Sequence, residues 1–520
     1  MDGNGESNEW GVFGRPLFAD PAARALSRVG VLDVGSNSVR MVVFDGAARS
    51  PAYFFNEKIL CGLGRGVNET GRLNPEGRTR AIAAIKRFQL LAEGMQLPPL
   101  SAVATAAVRE AEDGPEFRDE VAARTGIELF VIDGKEEARL SAQGVLLGWP
   151  EAEGLVCDIG GSSMELAVVS GGGVGARLTS PLGPLKLAGI KGGKKGLKAH
   201  IAKVIDELAE EIGTQHKRLY LVGGSWRAIA RLDMLRREYP LTVLHEYRMA
   251  PKALASTLKW IRETDLEAAR AQTGTSSGRI ALVPTASLVL QALMRRFRPR
   301  EVAVSSYGIR EGLLYEQMPD KVRTRDPLIE ACRFIEAKDA RIPGFGKALS
   351  EFLNPLYKGE TPRFRRLVKA ACLLHDVSWR AHPDYRHEVT FDNATRANLG
   401  GMTHQERVFL GLALLHRYKN SRAGSMHEPV FQLLDEKDTR RAEILGKAMR
   451  FGAMFAVNRL GETAQLRWRP KKRELHLRLT DEGRDLLGEV AEARFTALAA
   501  ALDATPVIAR WRKQPEPKAE

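Results

Sequence analysis

Asp33-Val34-Gly35-Ser36-Asn37-Ser38 is matched, 125 residues later, by Asp158-Ile159-Gly160-Gly161-Ser162-Ser163. Each stretch follows an apolar run (residues 29–32 and 155–157) and precedes another (39–44 and 166–169). The reading is strand, tight turn, strand, made twice. Small residues let a backbone approach a phosphate closely, and turn N–H and hydroxyl groups bind its oxygens. The leading aspartate suits a hard cation such as Mg²⁺. A third turn, Gly223-Gly224-Ser225, follows the apolar residues 219–222. One such turn alone reads equally well as a plain hairpin. Three of them predict two lobes facing one phosphate chain, with Ser36, Asn37, Ser38, Gly160, Gly161, Ser162, Ser163, Gly223, Gly224 and Ser225 as phosphate ligands.

Outward from these loops, strand-like and helix-like segments alternate over residues 29–140 and again over 141–320, which predicts α/β lobes. The helical pattern at 197–212 belongs to the second lobe. Residues 321–452 carry helical patterns at 327–337, 345–356, 363–376 and 405–419, an all-α domain. Residues 453–505 return to alternation, with strands at 465–469 and 474–479 and a helix at 481–502, a small α/β domain. Residues 1–28 and 506–520 read as tails, the second because Gln514-Pro515-Glu516-Pro517 resists helix.

A chain of 520 residues is too long for one core. Apolar content of 44% and charged content of 27% are those of an ordinary soluble protein. No run of about 18 apolar residues stands out, so no membrane span is expected. Residues 1–20 lack the basic start and apolar stretch of a signal peptide. Cys61, Cys157, Cys332 and Cys372 form no CxxC pair, and Cys157 and Cys372 sit in apolar runs as expected core thiols. These features point to the cytoplasm.

The net charge is +14, from 78 basic and 64 acidic residues. Such a balance favours polyanions, although solubility alone also accounts for it. Residues 186–204 hold six lysines and no acid. Glycines interleave there, so the segment is expected to begin as a loop. No aromatic residue in it could stack on a base. Lys186, Lys191, Lys194, Lys195 and Lys198 are therefore read as a channel for a phosphate polyanion, with no specific nucleic acid as partner.

Glu136 and Glu137 lie between an apolar strand and a helical segment. A carboxylate there could activate water, or could be an acid placed at a helix N-terminus. Arg109 could grip phosphate through two N–H groups, or pair with Glu110 or Glu112.

Six segments together resemble the exopolyphosphatase and guanosine pentaphosphate phosphohydrolase (Ppx/GppA) family, of the actin-like and sugar-kinase ATPase fold. They are Asp33 to Ser38, Ala104-Thr-Ala-Ala-Val-Arg-Glu110, Gly134-Lys-Glu-Glu-Ala-Arg139, Asp158 to Glu165, Pro181-Leu-Gly183 and Ser306-Tyr-Gly-Ile-Arg-Glu-Gly312. The resemblance implies two actin-like lobes, a helical HD-like domain and a small C-terminal domain. It implies Glu137 as general base, Glu136 in capping or orientation, Arg109 on substrate, and Asp33, Asp158 and Glu165 on the metal side. Mg²⁺ is the implied cofactor, with Mn²⁺ and K⁺ as further cations, and a homodimer is the implied assembly. The reaction implied is hydrolysis of terminal phosphoanhydrides of inorganic polyphosphate, with guanosine pentaphosphate as the alternative substrate. A regulator that binds polyphosphate or nucleotide without turnover is the alternative of another class.

Two departures stand out. Ser162 and Met164 replace a glycine and a threonine usual in the second loop. Trp226 follows the third turn, as core or as an obstruction to a nucleobase. In the helical domain, His375-Asp376 resembles an HD pair. No histidine occurs between His245 and His375 to complete a metal site, so a degenerate scaffold is expected.

Overall fold

A computed structural model describes residues 28–45, 49, 52–316, 318–456 and 459–511. The chain divides into two units, residues 1–327 and 328–520. All but one residue of the expected N-terminal tail lies outside the described residues.

In the first unit, β1 (Val29–Val34), β2 (Ser38–Phe44), β3 (Tyr53–Leu60), β4 (Ser101–Ala104) and β5 (Phe130–Val131) form a sheet of order β3-β2-β1-β4-β5. The first three pair antiparallel, and β4 and β5 join in parallel. Helix Pro75–Gly94 covers this sheet. It starts there because the Asn74 side chain accepts from Gly77 N and Pro75 takes the first position. Ile82, Ile85 and Phe88 then bury against Leu32, Val34 and Met41.

The second lobe repeats the scheme with β6 (Gly154–Ile159), β7 (Met164–Ser170), β8 (Gly173–Ser180), β9 (Arg218–Val222), β10 (Arg248–Met249) and β11 (Glu301–Val304). Its order is β10-β11-β9-β6-β7-β8. Thus β6, β7, β8, β9 and β11 stand where β1 to β5 stand in the first lobe, and β10 is an added edge. Helix Gly134–Gly148 is capped by Asp133, whose side chain accepts from Glu136 N. It crosses helix Ile309–Glu316 at backbone distance. A Cβ on Gly312 would overlap the Leu140 carbonyl oxygen, so only glycine permits this crossing.

Helix Gly193–Ile212 begins four residues before the expected 197. Gly196 N bonds to Gly192 O at 3.0 Å, which closes a first turn in what was expected to be a loop. Residues Ser277–Phe297 are, by length and composition, long and apolar enough to span a membrane. Here Val283, Ala286, Val289, Leu290, Leu293 and Phe297 build the core of the second lobe.

The second unit holds helices Pro362–Leu374, Arg386–Arg396, His404–Tyr418 and Glu436–Phe455, close to expectation where a pattern was read. Beyond them lie β12 (Ala464–Arg469), β13 (Glu474–Leu479) and β14 (Thr505–Arg510). The single helix expected at 481–502 is two, Asp481–Asp485 and Glu489–Ala501, broken at Gly488. Residues 505–510 pair in parallel with β13, so the sheet continues past the expected boundary at 505. Pro506 is tolerated because β14 is an edge strand. All four cysteines are buried free thiols.

Candidate phosphate cleft

The twin loops share one hydrogen-bond geometry. Gly35 N bonds to Ser38 O at 3.0 Å, and Gly160 N bonds to Ser163 O at 3.0 Å. The first loop is braced from behind, since Asn37 O accepts from Cys61 N and Gly62 N at 3.0 Å each. The second is braced by Gly183, where a Cβ would overlap the Ser162 carbonyl carbon and Ser163 N. Met164 is fully buried, so this departure from the usual loop is a core residue.

Register then decides the chemistry. In the first lobe, Asp33, Arg40 and Lys58 stand in one row across β1, β2 and β3. In the second, Asp158, Glu165 and Thr179 stand in the equivalent row across β6, β7 and β8. Like charges directly opposite on a ladder are destabilising, and both rows carry such a pair. The first row is cationic next to its aspartate; the second is wholly acidic or neutral. The two halves of the cleft share a backbone and differ in charge.

Glu137 lies in the first turn of its helix and is 6% exposed. Burial, and next the charge of Asp158, push its carboxyl up to about 8. Arg109 Nη1 stands 3.5 Å from Glu137 Oε2 and donates to Ile132 O at 2.8 Å. That contact replaces the surface pairing with Glu110 or Glu112. Glu136 turns away and holds Arg139 at 2.5 Å. Burial likewise raises Asp158, which accepts from Ser141. Glu165 is 1% exposed and raised further, by burial and then by Glu137 and Asp158. Its Oε1 accepts from Thr179 at 3.2 Å, while its buried Oε2 has no hydrogen-bond partner. Asp33 accepts from Arg310 Nη1 at 2.9 Å.

Among the described residues no three acidic, His or Cys side chains form a ready-made metal cage. The donors present are hard carboxylate oxygens, and the orphaned Glu165 Oε2 beside Asp158 fits an ion that takes few protein ligands and completes its shell with water and phosphate oxygens.

Five cations of this cleft were not singled out from sequence: Arg40, Lys58, Arg227, Arg279 and Arg310. Burial, then repulsion from the others, holds Arg40, Lys58 and Arg227 below their usual range, Arg227 down to about 10. Burial works against Arg310 too, but Glu311 and Asp33 raise it. Its buried Nε has no partner. Aligning the two hairpins would have found Arg40, seven residues after Asp33 as Glu165 is after Asp158. Arg310 lay inside a segment already matched. Arg279, packed beside Gly224, gave no signal.

The third turn is a single Gly223 at φ 112° leading into helix Gly224–Arg236. The first N–H groups of that helix have no intrahelical partner, and they are the part of the turn suited to an anion. Trp226 is fully buried in the core of the second lobe, the first of its two expected placements. Lys186 bonds to Glu110 at 2.7 Å and so ties the second lobe to the first. Lys191, Lys194, Lys195 and Lys198 are exposed, the last three on helix Gly193–Ile212.

With this geometry in place, residues 42–321 match the model of the Ppx/GppA phosphatase family. The chain belongs to that family. Residues 346–504 match the model described as exopolyphosphatase, C-terminal. Exopolyphosphatase 1 of Mycobacterium tuberculosis is 28% identical over 305 residues, covering 56% of this chain and 88% of the relative. Retrograde regulation protein 2 of Saccharomyces cerevisiae is 24% identical over 447 residues, covering 77% and 74%. A solved exopolyphosphatase from Cytophaga hutchinsonii superposes at TM-score 0.51 with 23% identity, over 56% of this chain and 98% of that one. That likeness shows the fold: two actin-like lobes, in a chain that continues with a C-terminal family domain.

Proposed function

We propose that this phosphatase is an exopolyphosphatase that releases orthophosphate from the ends of inorganic polyphosphate. The observation that carries the reading is the charge division of the cleft. Buried carboxylates Glu137, Asp158 and Glu165 share the cleft with a cluster of cations, Arg40 and Lys58 from the first lobe and Arg227, Arg279 and Arg310 from the second. The relatives named exopolyphosphatase support the same substrate.

In this reading the cationic group and the loop N–H groups hold the terminal phosphoryl and its neighbour. Arg109 contacts phosphate and orients Glu137. Glu137 accepts a proton from water placed for in-line attack, a role that suits a carboxyl raised by burial. Mg²⁺, held by Asp158 and Glu165 with Asp33 nearby, would supply neutralisation of the charge that develops on the transferring phosphoryl. Water attacks directly, and no Ser or Cys ester forms. We extend the reading to Mn²⁺ as a substitute for Mg²⁺, to K⁺ as an accessory ion, and to a cytoplasmic homodimer.

Guanosine pentaphosphate is the second reading, since Trp226 lies wholly within the core of the second lobe. Release of phosphate from long polyphosphate and from guanosine pentaphosphate, each with and without Mg²⁺, tests both. Mg²⁺-dependent release that is faster from polyphosphate is the expected result; faster release from the nucleotide would transfer the assignment.

A further inference from the structure

The second unit contains a buried arginine with nothing to bind. Arg417, in the last turn of helix His404–Tyr418, is 7% exposed. Among the described residues none of its N–H groups makes a hydrogen bond, and its Nε is fully covered. Burying the Nε–H unsatisfied is costly, and the four Nη donors, which are not fully covered, are left to bind something else. Its immediate neighbour in space is the Tyr418 ring, 4.9 Å away. Arg386 approaches the same ring at 5.6 Å, with Nε and Nη2 committed to the carbonyls of Trp379 and Ala381 and Nη1 outside those bonds. The Tyr418 hydroxyl donates to His375 O at 2.9 Å, which places the His375-Asp376 pair against this ring. Asp376 accepts from Arg341 Nε at 2.7 Å and Nη2 at 2.5 Å, so a guanidinium occupies the carboxylate that an HD metal site would need.

The pair therefore sits among three arginines and one carboxylate. Burial depresses both Arg417 and His375, and repulsion from Arg341 adds to each. The neutral His375 ring, bonded through Nδ1 to Cys372 O at 2.8 Å, contributes no compensating negative charge.

We propose that Arg417, Arg386 and Arg341 form an anion site, distinct from the cleft of the first unit, for a phosphate-type oxyanion. The excess of two positive charges matches a phosphate dianion, and donors arriving from three separate segments match a tetrahedral acceptor better than a planar carboxylate. The ligand is either free orthophosphate or one phosphoryl unit of a longer chain; both present the same oxygens. The site works as an effector or retention point rather than as a second hydrolytic centre, because its carboxylate is already neutralised by Arg341.

Hydrogen exchange of the full-length protein, followed by mass spectrometry, tests this. Orthophosphate, pyrophosphate and long polyphosphate are titrated in parallel arms. Orthophosphate should slow exchange several-fold in peptides covering residues 375–387 and 411–419. Arg417→Leu should abolish that slowing while leaving any protection of the first unit in place. Asp376→Asn, which removes the one negative charge, should lower the half-saturating phosphate concentration several-fold. Saturation by orthophosphate at lower concentration than by the chains identifies the free ion as ligand, and the reverse identifies a chain segment. Absence of protection at these peptides with all three probes, its persistence in Arg417→Leu, or binding no tighter in Asp376→Asn overturns the proposal.

Discussion

Arg40 and Glu165 occupy equivalent places in the two lobes, each directly across an antiparallel ladder from its loop aspartate. One backbone motif thus presents a cation on one side of the cleft and an anion on the other. The cationic side is suited to phosphate and the acidic side to a metal and an attacking water. Removing each side chain should therefore disturb a different titration. Arg40→Ala should raise KM for polyphosphate or lower kcat/KM by about 10–100-fold, the range of a lost charge-assisted hydrogen bond, with the Mg²⁺ requirement unchanged. Glu165→Gln should shift half-activating Mg²⁺ upward by at least tenfold. Kinetics with the two concentrations varied independently distinguish these, and an exchange of the two phenotypes contradicts the division of roles.

Gly183 holds the second loop by leaving room for it. A methyl at this position must displace Ser162 and Ser163. Gly183→Ala is expected to lower kcat by about 100-fold, since misplacement near 1 Å has that effect in a preorganised site. The melting temperature of the first unit should fall only a few degrees. Activity within twofold of the parent would show that the loop is not a phosphate ligand.

The exposed lysines 194, 195 and 198 make a gentler test. Changing all three to Ala should raise KM for long polyphosphate several-fold at low salt, with short chains little affected, and the difference should shrink toward 0.5 M salt as charges are screened. Equal effects on long and short chains would remove these lysines from the polyanion path.

The lobes and both acidic loops were legible because each rests on local pattern: a short apolar run and a glycine turn. Glu137 was legible from its surroundings only as an acid at a helix start, and its reading as a base came from the resemblance. What escaped depended on pairing between distant segments. Lys58 meets Arg40 only through the β2 and β3 register, and Arg279 reaches Gly224 only once helix Gly224–Arg236 is packed. Strand β14 escaped for a different reason. Pro506 and the polar sequence beyond it imitate a tail, and only its partner β13 reveals the edge strand. No histidine stood between His245 and His375 in the sequence, but Arg341, which holds Asp376, lies 35 residues upstream of it and carried no motif.

His375 predicts how the second unit responds to acid. Burial, then Arg417, lowers its imidazole to about 4. Above the unfolded value of ~6.5 the ring is neutral in both states, and it adds no pH dependence. Below that, the unfolded chain takes up the proton first. Stability is then lost at about 1.4 kcal/mol per pH unit until about pH 4. Asp376, lowered chiefly by its bonds to Arg341 against the effect of burial, adds a further loss at still lower pH. Denaturant melts of the intact protein between pH 7.5 and 4.5 should show this slope in the transition of the second unit, and His375→Gln should flatten it. An unchanged slope in the variant would assign the acid sensitivity elsewhere.

The central claim is that Glu137 is the base of a water-attack mechanism. The direct measurement is a pair of experiments on Glu137→Gln: polyphosphate binding by equilibrium titration, and phosphate release at saturating substrate and Mg²⁺. The side chain keeps its size and its place near Arg109 but can no longer accept a proton. Binding should stay within about threefold, while turnover falls by about 10²–10⁴-fold, the contribution expected of a general base. Turnover close to that of the parent, with binding intact, would contradict the account.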